Sequence, residues 1–225
     1  MPIDPNAEIE ITTFEWVPRF AQGYVRDLRP RWACEEMGLP YRERLISAMS
    51  KPEWYFRDQP WAQVPHLRDG EISVFESGAT LVHLGDKGDL TPVGGQARAS
   101  VLSWTFAAFN SVEPLVFEWA NVAVFSRREE WATLRRPSLR KQLGERLDRL
   151  QDALGTREWL AGAFSIADIA MITVLRSAND TGLLEERPAL AAYVARGMER
   201  SGFKAAMEAQ LAVFLAHTPP AKQEA

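Results

Sequence analysis

The segment QVPHLRDGEISVFESGATLVHL, residues 63–84, opens one predicted strand with proline and opens a helix with an acid and an alcohol. Pro65 has no backbone N–H to lose from a ladder, and a cis bond there would leave the Val64 N–H and C=O available to an extended peptide. Ser77 lies where the first helical amides lack internal partners, which suits a carboxylate, and Glu76 can bind an ammonium group. Together they fit a small peptide with an α-amino acid end. A proline-started edge strand and an ordinary serine cap explain the same residues without a ligand.

The secondary structure predicted around these residues is that of an α/β region. Alternation or β-branched content marks four strands, EIEITTF at 8–14, YRERLI at 41–46, PHLRD at 65–69 and EISVFE at 71–76. A helix is predicted over roughly 25–38, with Gly38 and Pro40 as its stop signal. Asp69–Gly70 predicts a hairpin turn between the last two strands. The predicted order is strand, helix, strand, short helix, hairpin and helix.

Beyond a linker at 87–96, rich in glycine and acids, the sequence predicts helices only. Apolar residues at spacings of three and four predict two amphipathic helices, one through Leu139, Leu143, Leu147, Leu150 and Leu154 and one through Phe203, Met207, Leu211 and Phe214. Ser165 and Asp168 form a capping-box pattern before IADIAMITVLR, whose apolar residues on nearly every side predict a central helix. We therefore predict an α/β domain at 1–86 and an all-α domain at 97–225.

Composition narrows the classes of protein to consider. A chain of 225 residues with 46% hydrophobic content can bury a full core, and its apolar runs fall short of the roughly 20 residues that cross a bilayer. The formal charge of −4 provides no electrostatic basis for a nucleic-acid partner. The start, MPIDPNAEIEITTF, lacks the basic and apolar regions of a secretory signal. A cytoplasmic protein that binds neither membrane nor nucleic acid is expected.

The cysteine and histidines predict no metal site. Cys34 is the single cysteine, which excludes a cysteine-rich cluster, and its helical surroundings favour a buried apolar residue over a reactive thiol. His66, His83 and His217 lie far apart in sequence and have no metal-ligand spacing. Positions in a strand, a helix and the tail are the simpler account of these histidines.

Several motifs together resemble one known family. QVP at 63–65, FES at 75–77, RPRWACEEMGLPYRERLI at 29–46 and FSIADI at 164–169 are similar to the cytosolic glutathione transferases of the bacterial type. The VP and ES pairs are weak separately, but this order is specific, and the resemblance extends over roughly residues 9–216. It implies a thioredoxin-like domain with a mixed four-stranded sheet, an all-helical bundle domain and glutathione as co-substrate.

The resemblance also implies roles for individual residues. Val64 would pair with the cysteinyl backbone of glutathione, and Pro65 would be cis. Glu76 and Ser77 would hold the γ-glutamyl group. Gln63 would make a peripheral contact.

The catalytic position departs from the family pattern. Many members carry Ser or Cys before the first helix, but EWVPRFAQGYVRDLRPRW contains neither. Alignment of RPRW places Tyr24 near that position. Lowering a thiol pKa from about 8.5 by two units takes about 2.7 kcal/mol, and one charge-assisted hydrogen bond supplies roughly 1.5–3 kcal/mol. Tyr24 could donate that bond, the amides of Val25 and Arg26 could hold the thiolate without it, or the Arg26 charge could do so.

Other ligand contacts stay open at this point. In the family, a lysine or tryptophan of the second-helix region often contacts the glycine carboxylate, and Lys51, Trp54 and Arg57 are alternatives here. Trp104 and Asn110 fall on a helix that in the family faces the second substrate. Aromatic residues at helical spacing are more often core than pocket.

The sequence therefore predicts a glutathione transferase, dimeric like most of its family and active in detoxification. It would activate the glutathione thiol for attack on an electrophilic small molecule, without a metal. One alternative is a binding or regulatory protein that keeps the fold and the ligand site without catalysis. Another is a glutathione-dependent disulfide reductase or peroxidase, which needs no protein thiol.

Overall fold

The computed structural model describes residues 2–178 and 181–217, which form two compact units. One unit contains the chain up to Gly88 together with the stretch from Arg200 onward, and the other contains Asp89–Glu199. The structure thus groups the last described helix with the first unit, whereas the predicted all-α domain at 97–225 includes that helix. The end of that range, residues 218–225, lies outside the described residues.

The first unit is built on a mixed four-stranded sheet. Its elements are β1 Ile9–Phe14, α1 Leu28–Met37, β2 Tyr41–Ile46, the short α2 Tyr55–Asp58, β3 His66–Asp69, β4 Ile72–Phe75 and α3 Ser77–Gly85. The strand order is β2-β1-β3-β4, with β1 and β2 parallel and the other neighbours antiparallel. Every strand predicted from sequence is present, with ends that differ by at most one residue.

Local signals explain where these elements stop and turn. Helix α1 ends at Gly38, whose φ of 64° lies in the left-handed region that glycine tolerates. The hairpin turns at Gly70, with φ of 59°, where an added Cβ would lie 2.8 Å from a Glu8 carboxylate oxygen. Helix α1 begins at Leu28 and not at 25, because the Leu28 N–H bonds to the Val25 carbonyl three residues earlier, as in a turn.

The sheet register brings the predicted binding segments to one end. Thr12 near the end of β1 pairs with His66 at the start of β3, and His66 pairs with Phe75 at the end of β4. The parallel pair β1 and β2 ends at the same level, with Phe14 beside Ile46. The loop after β1, the residues before β3 and the start of α3 therefore all lie at this end of the sheet.

The second unit contains helices and no strand in its described part. It contains α4 Gly95–Ala107, α5 Glu113–Ala120, α6 Glu130–Leu154, α7 Ile166–Arg176 and α8 Pro188–Met198, with π-helical turns at Ala108–Val112 and Asn121–Phe125. Every residue of α7 is buried, so the predicted central helix is confirmed. The final helix, α9 Ser201–Ala216, packs on α1 in the first unit. Together the two units confirm the predicted α/β and all-α fold class.

Asp168 joins the start of α7 to two other segments of the second unit. Its Oδ2 accepts from the Ser165 backbone N–H at 3.0 Å, which completes the predicted capping box. Its Oδ1 accepts from the Leu160 N–H at 3.0 Å and from the Tyr193 hydroxyl at 2.8 Å. Burial raises the pKa of Asp168 although these donors favour the ionised form. The side chain is wholly buried, so its partners have no water to replace it.

We expect Asp168→Ala to lower the free energy of unfolding by about 3–5 kcal/mol, because four buried hydrogen bonds from Ser165, Leu160 and Tyr193 lose their acceptor at about 1 kcal/mol each. Asp168→Asn is the matched variant: it keeps the oxygen that Leu160 and Tyr193 use but turns an NH2 group toward the Ser165 N–H. It should fall between alanine and wild type. Denaturant titration followed by circular dichroism measures both, and an alanine variant as stable as wild type would contradict the assignment.

Candidate functional site

The segment before β3 forms one side of the candidate site. The Val64–Pro65 peptide bond is cis, as predicted from the sequence. Val64 and Pro65 are both buried, whereas the Gln63 side chain is exposed. The Tyr55 hydroxyl of α2 donates to the Gln63 carbonyl at 2.7 Å, which connects this segment to α2.

The start of α3 forms the next part of the site. Glu76 has φ of 69° and ψ of 122°, a backbone conformation that is uncommon for a residue with a side chain and that tends to occur at ligand sites. Its side chain is exposed, and its carbonyl accepts from the Thr80 N–H at 2.9 Å. Ser77 is buried directly beside it. The helix N-terminus and the buried hydroxyl favour a ligand carboxylate, whereas the exposed Glu76 carboxylate favours an ammonium group.

Arg29 is a site residue that sequence reasoning missed. It is buried in the first turn of α1, and its Nη1 donates to the Ser77 Oγ at 2.8 Å. A cation in the first turn of a helix opposes the helix dipole, so a basic residue there requires a partner elsewhere. This unfavourable position is the signal in the sequence that Arg29 has a partner outside its own helix. The guanidinium adds positive charge to the start of α3 and reinforces its preference for a carboxylate.

The turn before α1 carries the predicted thiolate contacts. Tyr24 is 47% exposed and its backbone N–H donates to the Ala21 carbonyl at 3.0 Å, while Arg26 is half-buried. This turn follows the end of β1 and precedes Arg29 by a few residues, so it lies at the same end of the first unit as Val64 and Ser77. Cys34, in contrast, is wholly buried and burial raises the pKa of its thiol, which confirms the apolar interpretation.

Two family models match this chain. One describes the N-terminal domain of glutathione S-transferases and matches residues 28–87, and the other describes their C-terminal domain and matches residues 116–196. Together these matches cover more than half of the chain. The chain belongs to the glutathione S-transferase family.

Individual relatives of this transferase-family chain differ in how much of it they match. Glutathione S-transferase tcpG of Claviceps purpurea (strain 20.1) is 35% identical over an alignment 95 residues long, and the match covers 36% of this chain and 38% of that protein. The match therefore spans well under half of the length of tcpG. Glutathione S-transferase GST-4.5 of Xanthomonas campestris pv. campestris is 26% identical over an alignment 188 residues long, and the match covers 80% of this chain and 90% of that protein.

Solved structures agree on the fold. A glutathione transferase family member from Pseudomonas fluorescens pf-5, solved with two glutathione bound, aligns with a TM-score of 0.78 at 22% identity. The alignment covers 89% of this chain and 92% of that chain. A likeness of this extent supports the thioredoxin-like sheet domain followed by a helical domain.

The remaining predicted contacts are more dispersed. Trp104 is half-buried in α4 and Asn110 is exposed in the π-helical turn that follows, both in the second unit. Lys51 is exposed with its Nζ 6.0 Å from the centre of the Phe14 ring. Trp54 is half-buried beneath the Arg44 guanidinium, 3.8 Å from the ring centre, and Arg57 is exposed. Among the residues that the structure describes, no group of three or more His, Cys, Asp or Glu could hold a metal ion, and no helix could cross a membrane.

We expect Ser77→Ala to weaken glutathione binding by roughly 1–3 kcal/mol, about 5- to 150-fold in Kd, because Arg29 and the bound carboxylate both lose the hydroxyl between them. Ser73→Ala is the matched control, since this exposed serine of β4 has its Oγ 2.8 Å from the His66 Nε2 in the same hairpin. Calorimetry should show unchanged affinity for the control. Equal affinities for both variants and wild type would remove Ser77 from the site.

Proposed function

We propose that this protein binds glutathione at the described end of its sheet and activates the glutathione thiol for attack on an electrophilic small molecule. The observation that carries the proposal is the buried Arg29 guanidinium on the Ser77 hydroxyl at the start of α3. A buried cation, a hydroxyl and unpaired helical amides together make a site for a carboxylate. Family membership and the solved relative that holds glutathione support the choice of ligand.

Each part of the proposed site has a chemical task. The Val64 backbone would pair with the cysteinyl portion of glutathione, in the manner of a strand added to a sheet edge. Glu76 would take the α-ammonium group of the γ-glutamyl end, and Ser77 with Arg29 its α-carboxylate. Gln63 would make a peripheral contact. This orientation directs the cysteinyl sulfur toward the turn before α1.

The thiolate would be stabilised by that turn. A shift of two pKa units in the thiol corresponds to about 2.7 kcal/mol. The Tyr24 hydroxyl could supply roughly 1.5–3 kcal/mol as one donor to a charged sulfur, and the N-terminus of α1 a further 0.3–1 kcal/mol or so. The amides of Val25 and Arg26 are the alternative donors, and the Arg26 guanidinium the alternative charge. We assign the hydroxyl because one such donor nearly covers the required shift and the Tyr24 side chain is 47% exposed in this turn.

The second substrate and the assembly belong to the same proposal. Trp104 and Asn110, from the helical unit, are proposed to contact the electrophile, whose chemical class depends on those helical side chains. We propose a homodimer, as is general in this family, and conjugation of electrophiles as a detoxification reaction. A metal has no part in this mechanism, since the donors of the turn stabilise the thiolate directly.

We expect Tyr24→Phe to raise the thiol pKa of bound glutathione by about one to two units, with little change in affinity, because the substitution removes only the hydroxyl. Ultraviolet absorbance of the thiolate against pH measures this shift. Arg26→Met is the comparison variant. If its titration shifts and that of Tyr24→Phe overlays wild type, the charge and not the hydroxyl holds the sulfur.

Three further readings of the wild type separate the function classes. A depressed thiol pKa with turnover of a model electrophile supports the transferase. Tight binding of glutathione with an ordinary thiol pKa and no turnover would replace it with a binding protein. Turnover of disulfides or peroxides without conjugation would replace it with a reductase or peroxidase.

A further inference from the structure

Helix α9 holds the turn that carries the proposed thiolate donors. The Gln210 Nε2 of α9 donates to the Val25 carbonyl at 3.1 Å and to the Asp27 Oδ1 at 2.7 Å. These two acceptors belong to the residues on either side of Arg26, and Val25 directly follows Tyr24. One side chain, more than 180 residues away in sequence, thus bonds to both residues that flank Arg26.

The rest of the turn also lies against α9. Gly23 has φ of 80°, and an added Cβ would lie 3.1 Å from the Met207 sulfur. Val17 belongs to an apolar cluster with Val213 and Phe214 of α9, and Val25 packs against the same cluster. Apolar contacts set the distance between turn and helix, but they are not directional. The two hydrogen bonds of Gln210 supply the direction.

The chemistry of Gln210 fits a fixed orientation of its amide. Both partners are acceptors, a carbonyl and a carboxylate, so only the NH2 group can bond to both. The other Asp27 oxygen accepts from the Arg31 Nε at 2.6 Å, so the carboxylate cannot rotate away. Gln210 is wholly buried, and its Oε1 has no hydrogen-bond partner within the described part of the chain. A buried amide with one unsatisfied atom is costly, and the two hydrogen bonds to the turn are the interactions that offset this cost.

We propose that Gln210 is a positioning residue for thiol activation. It holds Val25 and Asp27 so that the donors of residues 24–26 keep hydrogen-bond geometry to the glutathione sulfur. This inference rests on the proposed function and deepens it, because it adds a residue from the opposite end of the chain to the machinery of that site. Donor placement matters steeply, since a misplacement of about 1 Å can cost on the order of 100-fold in rate.

Gln210→Met tests the proposal because methionine is similar in size and has no N–H donor. We expect the thiol pKa of bound glutathione to rise by about 0.5–1.5 units and kcat/KM at neutral pH to fall about 5- to 30-fold. KM for glutathione should stay within about twofold, since Val64, Glu76 and Ser77 are untouched. Gln210→Asn keeps the amide on a side chain that is one methylene shorter. If Gln210→Met does not fold, the same measurements are made on Gln210→Asn.

Arg200→Met is the control for general loss of helix docking. Arg200, just before α9, donates to both Glu36 carboxylate oxygens at 2.8 and 2.7 Å, so its removal weakens the contact of α9 with α1 without touching the turn. It should lower the melting temperature as the Gln210 variants do, yet leave the thiol titration on the wild-type curve. All titrations are made on protein shown to be folded by circular dichroism.

The outcomes separate the two proposals. A wild type whose bound thiol has an ordinary pKa overturns the proposed function itself. A depressed wild-type pKa that is unchanged in the Gln210 variants leaves the proposed function in place and reduces Gln210 to a structural residue. An equal rise in Arg200→Met also overturns the positioning role, because it would show that any loosening of α9 has the same effect.

Discussion

The first unit depends on one buried carboxylate, that of Asp27. Taking a charge out of water costs several kcal/mol unless its oxygens are paired, and here one oxygen accepts from Arg31 at 2.6 Å and the other from Gln210 at 2.7 Å. Arg31 also pairs with Glu43 of β2. The same carboxylate therefore joins α1, the sheet and α9. Removal of either partner within the packed unit would leave this buried charge short of a donor, which is strongly destabilising.

This network also shapes the electrostatics of the candidate site. Burial by itself would lower the pKa of Arg31, but the attraction of Asp27 and Glu43 outweighs it and the pKa is raised, so this guanidinium stays charged. Carboxylates inside the unit balance the charge of Arg31, whereas the neighbouring Arg29 donates to Ser77. The first turn of α1 thus contributes one cation to structure and one to the proposed ligand carboxylate. Two arginines two positions apart divide these tasks because they point to different sides of the helix.

The proposed chemistry asks little of any single side chain. Two pKa units of thiol activation amount to about 2.7 kcal/mol, which one well-placed donor nearly supplies. A chain without Ser or Cys before α1 can therefore still stabilise a thiolate, provided that the donors are held in place. Thiolate stabilisation in such a chain depends less on the type of the donor than on the rigidity of the turn that carries it. In the proposed mechanism helix α9, which belongs to the sheet unit, supplies this rigidity.

The amino-acid sequence by itself determined the features that depend on neighbouring residues. The strands, the stop of α1 at Gly38 and the capping box of Ser165 and Asp168 follow from periodicity and from bonds that span a few residues. Only the tertiary structure decided the pairing of Arg29 with Ser77, 48 residues away, and that of Gln210 with Asp27, 183 residues away. No local pattern marks such partners, because each forms only after the sheet register and the packing of α9 have brought distant backbone together.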